Sequence, residues 1–385
     1  MKKGWQTKKL GDLCDVVGGG TPPKDKPAFY SGEIPWATVR DMRQDVITET
    51  EFRITKDAVK SSATNIIPSG NVVVATRVGL GKVCLLGQDT AINQDLRGIV
   101  PRSDKALVVR FLYWWLKSIA DIIVAEGTGA TVQGVKLPFV KSLPIPVPPL
   151  AEQQRIIGLL DEAFEGLATA KANAERNLQN VRALFESHLQ SVFAQRGPGW
   201  VEKSLVDVCT FINGRAYKKE EMLSVGKYPL LRVGNFFTNR DWYYSDLELD
   251  ADKYCDNGDL LYAWSASFGP RVWDGGKVIY HYHIWKVLPH ATVVEKRFLL
   301  HLLEWDVDEI KKAHGTGTTM MHVSKGSMES RVAPIPPLKA QVAIASMLDD
   351  LREETQRLAR LYERKQAALE ALKKSLLHQA FTGEL

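Results

Sequence analysis

Nowhere does this chain approach the roughly 18 consecutive apolar residues of a membrane span, and Met1-Lys2-Lys3-Gly4-Trp5 leads into no signal-peptide core. No membrane association is expected, and the expected location is cytoplasmic. Cysteine is scarce: Cys14, Cys84, Cys209 and Cys255 stand alone, without the paired spacing of a zinc site or a redox pair. Buried free thiols are expected and a metal is not. Catalytic signatures are missing as well. No double proline has the Asn or Asp before it and the aromatic after it that mark adenine and cytosine methyltransferases. No phosphate loop of the form Gly-x-x-x-x-Gly-Lys-Ser/Thr occurs, and no proline is followed by Asp as in the common nuclease motif. Proline is absent from 150–197 and again from 338–385.

Those two proline-free stretches are copies of each other. The first opens Pro148-Pro149-Leu150-Ala151-Glu152-Gln153 and the second Pro336-Pro337-Leu338-Lys339-Ala340-Gln341, a constant offset of 188 residues that Leu160-Asp161 and Leu348-Asp349 maintain. A double proline suits the first turn of a helix, where a missing N–H costs nothing. Beyond it, apolar residues recur at steps of three and four. They are Ile157, Leu160, Phe164, Leu167, Ala174, Leu178, Val181, Phe185 and Val192 in the first copy. The second has Ala345, Leu348, Leu351, Leu358, Tyr362, Leu369, Leu372 and Leu376. This is a coiled-coil seam, and each helix would be roughly 65 Å long. Lys171, His188, Thr355, Lys365 and Gln379 fall in phase with it, as register control or a wet patch. Gly158 and Gly166 weaken the first helix by about 1 kcal/mol each relative to alanine, and the sequence does not show whether anything packs closely against them.

The repeat extends beyond the helices. Leu10-Gly11-Asp12-Leu13-Cys14 answers to Leu205-Val206-Asp207-Val208-Cys209, Gly70 to Ala75 answers to Gly258 to Ala263, and the Gly127-Thr128-Gly129 loop answers to Gly315-Thr316-Gly317. The chain therefore reads as a tandem duplication: a half at 1–147, a long helix at 148–196, a second half at 197–335 and a second long helix at 336–385. The fold class is α+β. Each half has a Gly-rich turn (Gly18-Gly19-Gly20; Asn213-Gly214) and mixed short strands (Val72 to Ala75, Lys82 to Leu86; Leu260 to Trp264, Val278 to Tyr280). A helix is expected at Val108 to Ala125, and its counterpart at Glu295 to Ala313.

On this shared framework the loop residues differ. Residues 89–98 read Asp-Thr-Ala-Ile-Asn-Gln-Asp-Leu-Arg-Gly, whereas 277–286 read Lys-Val-Ile-Tyr-His-Tyr-His-Ile-Trp-Lys. One scaffold with two surfaces suggests two things being read. The net charge is +5, and residues 1–149 carry 20 Lys and Arg against 14 Asp and Glu, so the excess sits in the first half. That balance permits a polyanion partner. Arg40, Arg43, Arg77 and Arg97, with Arg215, Arg232, Arg271 and Lys286, suit phosphates or bidentate contacts to guanine, and Asn93, Gln94 and Gln133 carry the amide that suits adenine. His281 and His283, placed on one face of an expected strand, lack an acidic or cysteine ligand close in sequence. They are read as surface or base-reading side chains.

The tandem halves, the Pro148 to Ile157 opening and the ending Ser375 to Leu385 together resemble the DNA-specificity subunit of type I restriction-modification systems, over essentially the whole chain. The resemblance implies two target recognition domains and two long helices that pair antiparallel as a spacer, related by a pseudo-twofold axis. It implies no catalysis by this chain. The expected partners are double-stranded DNA, two modification subunits and restriction subunits. S-adenosylmethionine, ATP and Mg are expected on those partners, and no cofactor on this chain. Spacer and docking candidates are Glu152, Gln153, Leu160, Phe164, Leu178, Phe185, Gln341, Leu348, Leu358, Leu369 and Leu376. A rigid spacer would fix the half-site separation, and lengthening the second helix by one heptad would shift it by roughly 10 Å, about three base pairs. The second helix lacks a counterpart of Glu152, which puts two equivalent docking sites in question. The competing readings are a coiled-coil scaffold without DNA specificity and a free-standing nuclease or methyltransferase with a diverged site.

Overall fold

The computed structural model describes residues 4–128, 134–238, 241–265, 268–314 and 322–385. Two compact units divide the chain: Met1–Glu175 with Arg364–Leu385, and Arg176–Glu363. Each unit contains one globular half and part of both long helices.

In the first unit the hydrophobic run Val72–Ala75 forms a strand buried on both faces. Its side chains alternate as a pleated strand requires. Val72 and Val74 enter the core shared with Phe111, Trp115 and Ile156, whereas Val73 and Ala75 enter a second core with Ile92 and Leu96. The strand is central in a five-stranded sheet of order Cys14–Gly18, Leu96–Pro101, Val72–Ala75, Val83–Leu86, Val46–Ile47, antiparallel except at its last pair. A second sheet runs Phe52–Ile54, Ile34–Ala37, Thr90–Ile92, Asn65–Ile67, with one parallel pair. Gln6–Lys9 pairs with Pro144–Val147, the approach to the first long helix.

The second unit repeats this plan. Leu260 and Tyr262 enter one core, and Leu261 and Ala263 another. The sheets are Cys209–Asn213, Ile284–Pro289, Leu260–Ala263, Gly269–Val272 and Tyr243–Ser245, Tyr228–Leu231, Val278–Tyr280, Tyr254–Cys255, again with one parallel pair, and Val201–Ser204 pairs with Val332–Ile335. Only the short edge strand Val46–Ile47 has no counterpart among the described residues. The four cysteines are buried free thiols, and burial pushes the thiols of Cys14, Cys209 and Cys255 up to about 12.

The long helices are Leu150–Ala194 and Leu338–Thr382. In the first unit they run antiparallel: Arg155 donates to the Leu385 carbonyl oxygen at 2.8 Å, and further along Lys171 meets Glu370 at 2.6 Å. The second unit shows the same sense, with Arg182 on Glu363 at 2.9 Å and the Arg352 guanidinium 4.6 Å from the Phe185 ring. The in-phase Lys171 is thus matched by a carboxylate. At 45% and 51% exposure that pair contributes at most about 1 kcal/mol.

Several expectations need correction. Residues 108–125 are two helices, Val109–Ser118 and Ala120–Ala125, where one was expected. The Ser118 hydroxyl donates to the Trp115 carbonyl oxygen at 2.7 Å, competing with the helix ladder, and Ile119 leaves helical geometry with ψ 13°. The first seam slips by one residue near its end. Leu189 and Phe193 are buried where His188 and Val192 were in phase, because Phe193 leaves the helix pair to stack on Trp305 at 5.2 Å. Leu372, placed in the second seam, is 48% exposed, whereas Leu377 and Ala380 are buried. Gly158 and Gly166 mark no close packing: a Cβ at either would meet nothing within 4 Å. No described helix is long and apolar enough to cross a membrane.

Candidate nucleic-acid interface

The sharpest difference between the two units sits at one turn. In the first unit strand Thr90–Ile92 passes to Leu96–Pro101 through Asn93-Gln94-Asp95; in the second, Val278–Tyr280 passes to Ile284–Pro289 through His281-Tyr282-His283. His281 and His283 therefore lie in a tight turn and not in a strand: Ile284 N–H bonds back to the His281 carbonyl at 2.9 Å, and Tyr282 N–H bonds to Arg215 O at 3.0 Å. The Gly-rich segments explain how the turns are held. A Cβ at Gly19 would lie 2.0 Å from the Asn93 carbonyl oxygen, and one at Gly214 2.5 Å from that of His281. Only glycine lets the backbone approach so closely.

At the first turn Gln94 is the exposed tip, and its carbonyl oxygen accepts the Thr21 hydroxyl. Asn93 is different. It is buried, donates to Asp95 Oδ2 at 3.0 Å and accepts the Asp95 N–H at 3.1 Å, so its amide organises the turn and is not offered to a base edge. Arg97 donates to the carbonyls of Gln94 and Leu96 at 3.0 and 2.8 Å, and burial and the nearby Arg77 lower its pKa. Arg77 lies 3.6 Å from Asp95. Arg40 is 74% exposed, 3.4 Å from Glu51, and Arg43 donates to the Arg40 carbonyl at 3.0 Å. Arg40 and Gln94 line one cleft of about 520 Å³ with Lys24, Tyr30, Trp36 and Phe52. Gln133 lies outside the described residues, as do Gly129 and all of Gly315-Thr316-Gly317.

At the second turn Tyr282 is the exposed tip, at 38%. Rings gather around it: His281 and His283 have centroids 4.8 Å apart, and His283 is 5.0 Å from Trp264, which in turn is 6.0 Å from His322. Burial, with His283 and Arg232 nearby, lowers the His281 pKa to about 4; burial and His322 lower that of His283. These imidazoles are neutral hydrogen-bonding groups at neutral pH. Among the described residues no group of three or more His, Cys, Asp or Glu could hold a metal ion. Arg232 lies 5.2 Å from the Tyr243 ring and lines a cleft of about 400 Å³ with Asn235, Asp241 and Tyr243. Arg215 is bound bidentately by Glu221 at 2.9 and 2.7 Å.

Two other candidates serve the fold. Arg271 donates to the Phe236 carbonyl at 2.8 Å and meets Asp274 at 3.1 Å. Lys286 meets Asp259 at 2.7 Å inside its unit, with its side chain 19% exposed. Sequence reasoning left Tyr282, Phe52 and Tyr243 off the candidate set, and the signal for Tyr282 was its place midway between the two histidines.

Gln153 and Gln341, read as docking residues, turn inward. Both are 0% exposed. The Gln153 Oε1 accepts the Val108 N–H at 2.9 Å, and its Nε2 donates to the carbonyls of Ala106 and Pro148 at 3.0 Å each. Gln341 repeats this with Glu295 N–H at 2.7 Å, the Val293 carbonyl at 2.9 Å and the Pro336 carbonyl at 2.8 Å. Each amide pins the start of a long helix to the segment that opens the neighbouring helix of its globular half. Glu152 instead pairs with Arg155 on the surface at 2.7 Å.

A family model described as the type I restriction modification DNA specificity domain matches residues 2–176 and 198–366. The specificity subunit of the Escherichia coli type I restriction enzyme EcoR124I/EcoR124II is 34% identical over 41% of this chain and 40% of its own length. The MjaIX specificity subunit of Methanocaldococcus jannaschii is 27% identical over 60% of this chain and 58% of its own. The chain thus matches about half the length of these relatives. In fold, it is similar to a chain from a solved structure on complex assembly and conformational transition of the type I R-M system, with TM-score 0.83, 21% identity and coverage of 100% and 99%. The HsdS subunit from Thermoanaerobacter tengcongensis has TM-score 0.66 at 20% identity, with coverage of 100% and 98%.

Proposed function

Because the chain belongs to the type I restriction modification DNA specificity family, we propose that it is the non-catalytic subunit of such a system, reading a bipartite double-stranded DNA target. In this reading 1–147 and 197–335 are the target recognition domains, and 148–196 and 336–385 are the spacer helices. The chain docks two modification subunits and the restriction subunits in the cytoplasm, and S-adenosylmethionine, ATP and Mg belong to those partners. The observation that carries the reading is the matched turn: two repeated frameworks present Asn93-Gln94-Asp95 on one and His281-Tyr282-His283 on the other. A duplicated scaffold that repeats its sheet order and presents different side chains at a matched exposed turn is suited to reading two different half-sites. Gln94, Arg40, Arg43, Arg77 and Arg97 are assigned to the first, with Gln133 as a further candidate. Tyr282, His281, His283, Arg232 and Arg215 are assigned to the second. Base edges fall to the turn side chains and phosphates to the arginines.

The test is to co-express the chain with the modification subunit of its own system and map methylated adenines across the host DNA. The expected result is one split motif, two short half-sites around a fixed gap, that disappears without this chain. Co-purification of the subunits with no such mark would overturn DNA reading in favour of a scaffold.

A further inference from the structure

Phe52 and Tyr243 hold the same place in their respective units. Phe52 faces Trp36 across the pair Ile34–Ala37 and Phe52–Ile54, and Tyr243 faces Leu230 across the pair Tyr228–Leu231 and Tyr243–Ser245. In each unit the strand is the outermost of its sheet. The neighbours have diverged, Trp36 against Leu230 and Arg53 against Tyr244, yet this position is aromatic in both. It is also exposed in both, at 39% and 38%. A core role does not account for a large ring left open to water twice.

The surroundings point to a ligand that is flat and anionic. Phe52 borders the cleft of about 520 Å³ with Arg40, Lys24, Gln94 and Asp95, and its ring meets Trp36 edge-on with centroids 6.2 Å apart. The hydrogen-bonding handles there are already used inside the protein: Trp36 Nε1 donates to the Gly20 carbonyl at 3.1 Å and the Tyr30 hydroxyl to the Pro22 carbonyl at 2.7 Å. Ring surface and the cations Lys24 and Arg40 line the cleft beside the Gln94 amide and the Asp95 carboxylate. Tyr243 borders the cleft of about 400 Å³ with Arg232, Asn235 and Asp241, and the guanidinium lies over one face of its ring, 5.2 Å from the centroid, leaving the other face for a ligand. An aromatic ring beside a guanidinium suits insertion at a duplex base step, where the ring replaces part of the lost stacking and the cation meets the backbone.

We infer that Phe52 and Tyr243 are matched base-stacking side chains, one for each half-site, each wedging against a base step while Arg40 or Arg232 takes the adjacent phosphate. The inference rests on the DNA-reading function proposed above. The ring supplies affinity that does not depend on base identity, which would explain why the position stays aromatic while the turn tips diverge.

The test uses the full chain assembled with its modification subunits on a labelled duplex carrying the mapped motif, at fixed salt. Phe52→Tyr and Tyr243→Phe keep the ring and are expected to bind within about twofold of wild type. Phe52→Ala and Tyr243→Ala remove the ring; each is expected to weaken binding by about 5- to 150-fold, the range for loss of one stacked base on alanine substitution. The slope of affinity against salt should hold, because no phosphate contact is removed. Alanine variants that bind within twofold of a wild type showing motif-dependent binding overturn the inference alone. So does a loss that tracks a lowered thermal midpoint, which would mark a packing role. A wild type without motif-dependent binding overturns the DNA reading itself.

Discussion

Truncating Gln153 to alanine should destabilise the first unit by about 3–5 kcal/mol. The side chain is 0% exposed and makes three hydrogen bonds, at 2.9, 3.0 and 3.0 Å. Its removal leaves the Val108 N–H and the carbonyls of Ala106 and Pro148 without that partner. An unsatisfied buried polar group costs about 1–3 kcal/mol, and a water entering the small space left behind recovers part of it. Gln153→Glu is the sharper variant. It keeps the acceptor for Val108 but sets an anionic oxygen against two carbonyls, so it should be at least as damaging at neutral pH and partly relieved where the carboxyl is protonated. Hydrogen exchange followed by mass spectrometry on peptides covering 104–118 reads the loss directly, and Gln341→Ala should give the same signature over 291–303. A Gln153→Ala protein within about 1 kcal/mol of wild type, with unchanged exchange in that peptide, would refute the reasoning.

Three further outcomes follow from the geometry. Gly158→Ala and Gly166→Ala should each stabilise the first long helix by about 0.5–1 kcal/mol in denaturant melts, since a Cβ at either position meets nothing within 4 Å. Burial, with His283 and Arg232, holds His281 neutral down to a pKa of about 4, whereas the unfolded chain takes up that proton near the ordinary value of 6.5. Its contribution is therefore complete above about pH 6.5 and lost as pH falls toward 4; thermal melts between pH 7.5 and 5 should show this slope, and His281→Gln should flatten it. The heptad insertion must be made in both long helices, because within each unit they pair antiparallel. It should then widen the gap in the methylated motif by about three base pairs, and an unchanged gap would count against a rigid spacer.

Legibility followed periodicity and repetition. The long helices were plain from their prolines and seams, and the observed Leu150–Ala194 and Leu338–Thr382 match them closely. The duplication carried over to sheet order. What pattern reading lost were features set by tertiary contact. The seam slips at Phe193 because Trp305 offers a better surface than the partner helix, and nothing local announces that. Asn93 and Gln153 have the residue types of readers and docking groups, but burial decides their role and polarity does not. Lys286 and Arg271 each make a contact inside their unit, to Asp259 and the Phe236 carbonyl. The histidines were misplaced on a strand because an apolar-aromatic run, Ile279 to Trp285, hides a turn that glycine packing at Gly214 imposes from 65 residues or more away.

The turn is also where divergence is cheapest. A change in Val72–Ala75 disturbs one or the other of two cores, since its side chains alternate between them, and losing a buried apolar side chain there costs about 1.5–3 kcal/mol. The exposed Gln94 side chain accepts the Thr21 hydroxyl, and the Arg97 contact goes to its main-chain carbonyl, so replacing it should cost less than about 0.5 kcal/mol. Gln94→Tyr, which places in the first unit the side chain that Tyr282 supplies in the second, separates the two kinds of position. Its thermal midpoint should stay close to wild type while the methylated motif changes within one half-site and the gap is preserved. A stable Gln94→Tyr protein that directs methylation to an unchanged motif would remove the turn tip from base reading. It would shift the assignment to the arginines beside it and to Asp95, whose carboxylate is shared between Asn93 and Arg77.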